Sequence, residues 1–165
     1  MNTTENNRKV ISILVDNKPN TLARISSLVG RRNYNIETIT ASETHMPGVT
    51  LITLVVTDSD PDILEQIVAQ IEKLEVVRDV HVMESGGGFY RELLLLKVMV
   101  DKKSRSALTE VVEIFRAKII DLSKSSMIIE LTGEPTKLDG FMELMEDYEL
   151  VEVCRTGVTG MNRGL

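Results

Sequence analysis

Val10-Ile-Ser-Ile-Leu-Val-Asp-Asn-Lys-Pro-Asn-Thr-Leu-Ala-Arg24 contains the change of period on which the fold turns. Val10–Val15 is a short β-branched run, and Asp16–Asn20 closes it with a cluster of turn formers, so the spacing predicts a strand followed by a loop. From Thr21 the apolar residues Leu22, Ile25, Leu28 and Val29 recur at helical intervals until Arg31-Arg-Asn33, whose basic residues suit a helix C-terminus. Extended patterning then returns. Ile36–Ser42, a turn at His45-Met-Pro-Gly48, and Thr50–Val56 with Ile52, Leu54 and Val56 on one face predict a β-hairpin. Asp58–Asp62 opens a second helix, with Pro61 in its first turn and Ile63, Leu64, Ile67, Val68, Ile71 and Leu74 along one stripe. Val76–Met83 supplies a fourth strand.

Ser85-Gly-Gly-Gly88 interrupts both periods, and consecutive glycines carry a high backbone entropy cost inside regular structure, which predicts a linker. Beyond it the pattern repeats. Glu92–Val100 reads as a strand, Ser106–Phe115 as a helix, Lys118–Leu122 with Met127–Thr132 as a hairpin, Thr136–Met145 as a helix and Leu150–Arg155 as a last strand. The fold class is α+β: two tandem ferredoxin-like βαββαβ domains, with a disordered leader at 1–8, the first domain at 9–84, a linker at 85–90 and the second domain at 91–165. In this arrangement the first and third strands are central. Accordingly Val10–Val15, Leu51–Val56, Leu93–Val100 and Met127–Leu131 are the most apolar, while the edge candidates carry Glu37, Thr38, Asp79, His81, Glu152 and Arg155. Helices on one face of a sheet leave the other face and the edges in need of cover, for which a dimer is the simplest solution.

Composition agrees with a folded chain. Its 165 residues are 42% hydrophobic and 27% charged, enough for a core and too short for an α/β barrel. Nineteen Lys plus Arg against twenty-five Asp plus Glu, with no Trp, three Tyr and three Phe, exclude a phosphate-backbone binder or a base-stacking platform. One cysteine, Cys154, cannot form an internal disulfide, and Met1–Arg8 lacks the apolar segment of a signal peptide. Apolar stretches such as Leu51–Val56 and Leu93–Leu96 fall short of the roughly 18 residues a spanning helix requires, so the expected compartment is the cytoplasm.

Most chemical candidates have a structural reading that fits better. Gly86-Gly-Gly88 is followed by a strand and not by a helix that could hold an anion. Asp58-x-Asp60-x-Asp62 starts like a calcium loop, but Ile63 stands where Gly is needed and Ala69 where a bidentate Glu is needed. Cys154 reads as a small core residue, His45 and His81 as solvated side chains in different elements, and Met142 and Met145 as core. Glu143, Glu146, Asp147 and Glu149 read as the solvated face and end of a helix. No catalytic residue and no metal ligand is assigned. The loop Asp16–Thr21 survives, because a strand hands over to a helix there and unpaired N–H groups can hold a carboxylate. Asn17 offers both donor and acceptor groups for the polar end of an amino acid. A purely structural role, with Asn20 capping the helix and Asn17 shaping the turn, fits the same residues.

Val10–Arg24 also resembles the opening of an ACT domain, a small-molecule sensor with the βαββαβ fold. Arg32-Asn-Tyr-Asn-Ile-Glu-Thr-Ile39, Glu65-Gln-Ile67 with Lys73-Leu74, Arg91-Glu92, Glu113-Ile-Phe-Arg-Ala-Lys-Ile-Ile-Asp121 and Arg155-Thr-Gly-Val158 resemble the small regulatory subunit of acetohydroxyacid synthase, also called acetolactate synthase. The resemblance covers about residues 9–163. It implies a noncatalytic partner that activates a thiamine-diphosphate-dependent large subunit in branched-chain amino acid biosynthesis and mediates feedback inhibition by valine or a related amino acid. This subunit would hold no cofactor; thiamine diphosphate, Mg and FAD would sit on the large one. The effector would lie between two ACT domains of a homodimer, with Asn17, Asn20, Thr21 and Leu22 from one protomer and Asn35 and Ile36 from the other. Arg116, Asp121 and Arg155 are the candidate contacts with the large subunit. The family usually has Gly where this chain has Asn20, so weakened valine binding or an altered effector preference is expected. The glycine linker would permit the relative motion that inhibition needs.

Two rival readings are weaker. Acylphosphatase-like hydrolysis uses a similar fold, but Asp16 and Pro19 occupy a loop that would need consecutive free amides. A free-standing ACT-type sensor regulating another enzyme would have no reason to carry Glu113–Asp121 and Arg155–Val158, and no basic reading helix is visible.

Overall fold

The computed structural model describes residues 8–31, 35–57, 61–83 and 87–164. The leader before Arg8, Arg32–Tyr34, Asp58–Asp60 and the Ser85-Gly86 part of the expected linker lie outside the described residues, as do the side chains of Pro61 and Ile63. The elements are β1 (Arg8–Asp16), α1 (Thr21–Gly30), β2 (Asn35–Glu43), β3 (Val49–Thr57), α2 (Pro61–Glu72) and β4 (Val77–Met83). They continue as β5 (Gly88–Met99), α3 (Ser104–Ile114), β6 (Lys118–Leu122), β7 (Ser126–Gly133), α4 (Pro135–Leu144), a single 3-10 turn at Met145–Asp147, β8 (Leu150–Arg155) and β9 (Thr159–Asn162). The chain forms two compact units, Met1–Phe89 with Val158–Leu165, and Tyr90–Gly157.

In the first unit the strand order is β2-β3-β1-β4, so the two most apolar strands are central and the polar ones lie at the edges. Antiparallel register sets Ile13 opposite Ile52 and Val80, and Ile11 opposite Leu54 and Val82. These residues share one face, because side chains alternate along a strand. Ile25 and Val29 of α1 and Leu64, Ile67 and Ile71 of α2 pack onto that face. Each such burial contributes about 1.5–3 kcal/mol relative to exposure.

The other face carries a polar row, Thr40, Thr53, Ser12 and His81, one from each strand in register. Thr53 and Ser12 are nonetheless only 2% and 7% exposed. The C-terminal segment meets both ends of this row. Thr40 Oγ1 donates to the Val158 carbonyl at 3.1 Å, and Asn162 Nδ2 lies 3.2 Å from His81 Nε2. An extended stretch from Val158 to Asn162 reaches about 13 Å, close to the width of four adjacent strands. The tail therefore spans the sheet from β2 to β4. Further along, the Arg163 N–H donates to the Gly87 carbonyl at 3.0 Å, and its guanidinium sits 4.6 Å over the Phe89 ring.

This tail departs from the domain boundaries read from the sequence, which placed 91–165 together. Gly157, at φ 84°, turns the chain where Val158–Leu165 leaves the second unit to group with the first. β5 also begins inside the span read as a linker. A Cβ on Gly88 would come within 2.9 Å of the Met161 carbonyl oxygen, so that glycine permits close packing of β9 on β5.

The second unit repeats the order as β6-β7-β5-β8. Leu94, Leu96 and Val98 of β5, Met127, Ile129 and Leu131 of β7, Leu108 and Val112 of α3, and Leu138 and Phe141 of α4 form its core. Phe141 meets Phe115 edge-on, with ring centroids 5.1 Å apart. Met145 is buried in this core and Met142 packs against it, while Glu143, Glu146, Asp147 and Glu149 are exposed. The reading of Cys154 as a core residue is overturned: it is exposed, as is every residue of β8. An edge strand has a neighbour on one side only, so apolar alternation along it does not secure burial. No helix among the described residues is long and apolar enough to cross a membrane.

Candidate functional site

The loop between β1 and α1 is fixed by its own amides. Asp16 N–H donates to the Val76 carbonyl and Asn17 N–H to the Gly48 carbonyl, both at 2.8 Å, which ties the loop to the start of β4 and to the hairpin turn. Thr21 N–H donates to the Lys18 carbonyl at 3.3 Å, and its hydroxyl reaches the Asp16 carbonyl at 3.5 Å. Asn20 then stands at φ 66°, ψ 4°, the left-handed region, and its side chain makes no capping hydrogen bond. Asn is among the few non-glycine residues that adopt this conformation readily. It performs the backbone task of a glycine and does not cap the helix.

The first bond within α1 runs from Arg24 N–H to the Asn20 carbonyl at 3.0 Å. Leu22 and Ala23 N–H groups are therefore left without intrahelical acceptors, at the positive end of the helix dipole. Both residues line a cavity of about 520 Å³ whose polar side is Asp16, Asn17, Lys18, Asn20, Thr21 and Ser26 and whose apolar wall includes Val15, Ala41 and Ile52. One end can accept a carboxylate and the wall can accept a small aliphatic side chain.

Charge at the mouth is held in ion pairs. Arg78 Nε contacts Asp16 Oδ1 at 2.6 Å and Lys18 Nζ contacts Oδ2 at 3.3 Å. The hydrogen bond from Arg78, then that from Lys18, holds the Asp16 carboxyl below the usual carboxylate range. Asn17 Nδ2 donates to Glu43 Oε1 at 3.0 Å.

Of the residues read from the sequence, Asn17, Asn20, Thr21 and Leu22 come together around the cavity. Asn35 and Ile36 lie on β2 and do not line it; Asn35 is exposed, and Ile36 packs half-buried against the core of its own unit. The sequence reading missed Ala41, Thr50 and Ile52, which reach the cavity from β2 and β3. Gly48 in the turn between those strands was the available signal, since it brings the hairpin end onto Asn17.

In the second unit, Arg116 sits at φ 53° just past α3 with its N–H on the Glu113 carbonyl, and Asp121 follows a register shift in β6; both are exposed. Arg155 is differently placed. Its Nε and Nη2 donate to Glu92 Oε2 and its Nη1 donates to Asp139 Oδ1 at 2.7 Å, so the guanidinium is engaged within the unit. Burial works against its charge, but the bonds to Asp139 and Glu92 outweigh this and raise its pKa. Among the described residues no cluster of three or more His, Cys, Asp or Glu side chains could hold a metal ion.

A family model described as "Small subunit of acetolactate synthase" matches residues 91–164, and one described as "AHAS small subunit-like ACT domain" matches residues 11–79. The probable acetolactate synthase small subunit of Archaeoglobus fulgidus is 39% identical over 158 residues, 95% of this chain and 98% of the relative. That of Mycolicibacterium smegmatis is 39% identical over 154 residues, 93% of this chain and 90% of the relative. The crystal structure of the acetolactate synthase small subunit from Thermotoga maritima superposes with a TM-score of 0.88 at 36% identity, covering 96% of this chain and 98% of that one. Two βαββαβ units in the same order, matched along nearly their whole length by sequence and by structure, show that the chain belongs to the acetolactate synthase small-subunit family.

Proposed function

We propose that this regulatory subunit activates a separate, thiamine-diphosphate-dependent catalytic large subunit and makes it responsive to valine or a related branched-chain amino acid. In this reading the chain is noncatalytic, and thiamine diphosphate, Mg and FAD belong to its partner. The observation that carries the effector reading is the cavity beside α1. It joins the start of α1 at Leu22 and Ala23, the side chains of Asp16 and Asn17 and an apolar wall of Val15, Ala41 and Ile52, which suits a zwitterion with a short aliphatic side chain.

A homodimer completes the proposal. β2 is an edge strand, and Asn35 near its start is exposed, so a second copy can bring Asn35 and Ile36 toward the loop of the first. Since Ile36 already packs on its own core, Asn35 is the better placed of the two for ligand contact. On the large-subunit side, Arg116 and Asp121 present exposed side chains, whereas Arg155 acts by holding β8 in place.

Inhibition requires that the effector bind more tightly to the low-activity association than to the active one, because a ligand with equal affinity for both shifts nothing. The test is the rate of acetolactate formation from pyruvate by the same organism's large subunit, with and without this chain, across a valine titration. A higher rate that valine depresses supports both halves of the proposal. A higher rate indifferent to valine keeps the partner and removes valine as effector. An unchanged rate without co-elution favours a free-standing sensor of another enzyme.

A further inference from the structure

Glu43 lies at the end of β2 and does not line the cavity, but its carboxylate contacts the side chain of Asn17, which does. An asparagine amide has two chemically opposite ends, a donor NH2 and an acceptor oxygen, and it can turn either one toward a ligand. An ionised carboxylate can only accept. The 3.0 Å contact from Asn17 Nδ2 to Glu43 Oε1 therefore favours one orientation of the amide, with Nδ2 on Glu43 and Oδ1 left as the acceptor.

We infer that Glu43 is a positioning residue which, by pinning the Asn17 amide, gives the cavity a donor end at Leu22 and Ala23 and an acceptor end at Asn17, and so selects α-amino acids over 2-oxo acids of the same carbon skeleton. This rests on the effector reading of the cavity. An α-ammonium group can donate to Oδ1, whereas a 2-oxo group is an acceptor and meets it with a second lone pair. With Glu43 replaced by an apolar residue the amide is able to turn, Nδ2 can then serve the oxo oxygen, and the discrimination is lost. Recognition of the carboxylate, which depends on the helix start, is unaffected.

The test uses the full chain and calorimetry with two probes, L-valine and 3-methyl-2-oxobutanoate, on the parent, Glu43→Leu and Glu43→Gln. The parent should prefer valine by about tenfold or more, as expected for a hydrogen bond to a charged group. Glu43→Leu should bring the two affinities to within about threefold of each other, chiefly by gain for the oxo acid, while Glu43→Gln, whose amide can donate as well as accept, should fall between Glu43→Leu and the parent. In the absence of ligand, the Asn17 side-chain amide resonances should shift in Glu43→Leu and shift less in Glu43→Gln. A Glu43→Leu protein that keeps the parent's ratio overturns the inference, and so does a change of ratio in which the Asn17 amide resonances hold their place, since the effect would then not run through the orientation of that amide. A parent that binds neither probe overturns the effector reading itself, and this assignment with it.

Discussion

Replacing Arg155 with Met tests whether the guanidinium is a structural clamp of the second unit. Glu92 is the group at risk, because its side chain is only 3% exposed and both guanidinium nitrogens that reach it disappear together. Breaking a buried pair by removing one partner costs about 3–5 kcal/mol, since the remaining charge loses compensation without regaining water. Arg155 is itself 30% exposed, which places the expected loss near the lower end, about 3 kcal/mol. Two units in one chain make a single unfolding midpoint a poor readout, so residue-resolved amide exchange is the assay of choice. Protection of the slowest amides in β5 and β7 should fall by roughly a hundredfold, given about 1.4 kcal/mol per decade, with β1 and β3 unchanged. Adding Glu92→Met to Arg155→Met should restore most of the loss, because no buried charge then remains. A fall of less than about tenfold, or a double variant no better than the single one, would refute the clamp. The double variant also reports on function: if it recovers stability but fails to activate the large subunit, Arg155 contacts the partner directly.

Four further outcomes follow from the geometry. Asn20→Gly should leave stability within about 0.5 kcal/mol of the parent, since no cap bond is lost and relief of the left-handed strain offsets the greater freedom of the unfolded chain; valine affinity by calorimetry should rise, and an unchanged value would show that the Asn20 side chain does not crowd the carboxylate. Asp16 is held below the usual carboxylate range by Arg78 and Lys18, so its contribution is complete above about pH 4 and is lost as the pH falls through the folded value; the Arg78 Nε–H resonance should report that loss, and Asp16→Asn should flatten it. Phe141→Ala, which removes a fully buried ring packed on Phe115, should cost the second unit about 3–5 kcal/mol by the same exchange assay. Gly88→Ala should speed amide exchange at Arg163, whose bond to Gly87 depends on the close approach of Met161 to residue 88.

Both repeats were legible because the residues that decide them act locally. Val10–Val15 and Leu51–Val56 announce central strands by apolar content alone, and they occupy the middle of the first sheet. At Asn20 the residues suggested a helix cap, and only the family's usual Gly at this position pointed to the left-handed backbone that stands there. Cys154 was misread because burial at a sheet edge depends on what lies beside the strand, which alternation within Leu150–Arg155 does not encode. β9 was missed because Thr159–Asn162 has too few residues for a period and is held by partners such as Gly88 and His81 that are distant in sequence. The cavity was half legible for the same reason: its loop residues are contiguous, but Ala41, Thr50 and Ile52 arrive through strand pairing. Glu43 became meaningful only once its carboxylate was found beside Asn17.

The return of Val158–Asn162 to the first sheet sets an order of events during synthesis. Residues through Phe89 leave the ribosome with the helical face able to close at once, while the row Thr40, Thr53, Ser12 and His81 waits for a segment made only after the whole second unit. The first unit is thus built early and sealed late. A chain released at Phe89 would have every residue of its apolar core yet keep the polar row uncovered by this tail, and it should be more prone to associate through that face than the chain that carries the tail.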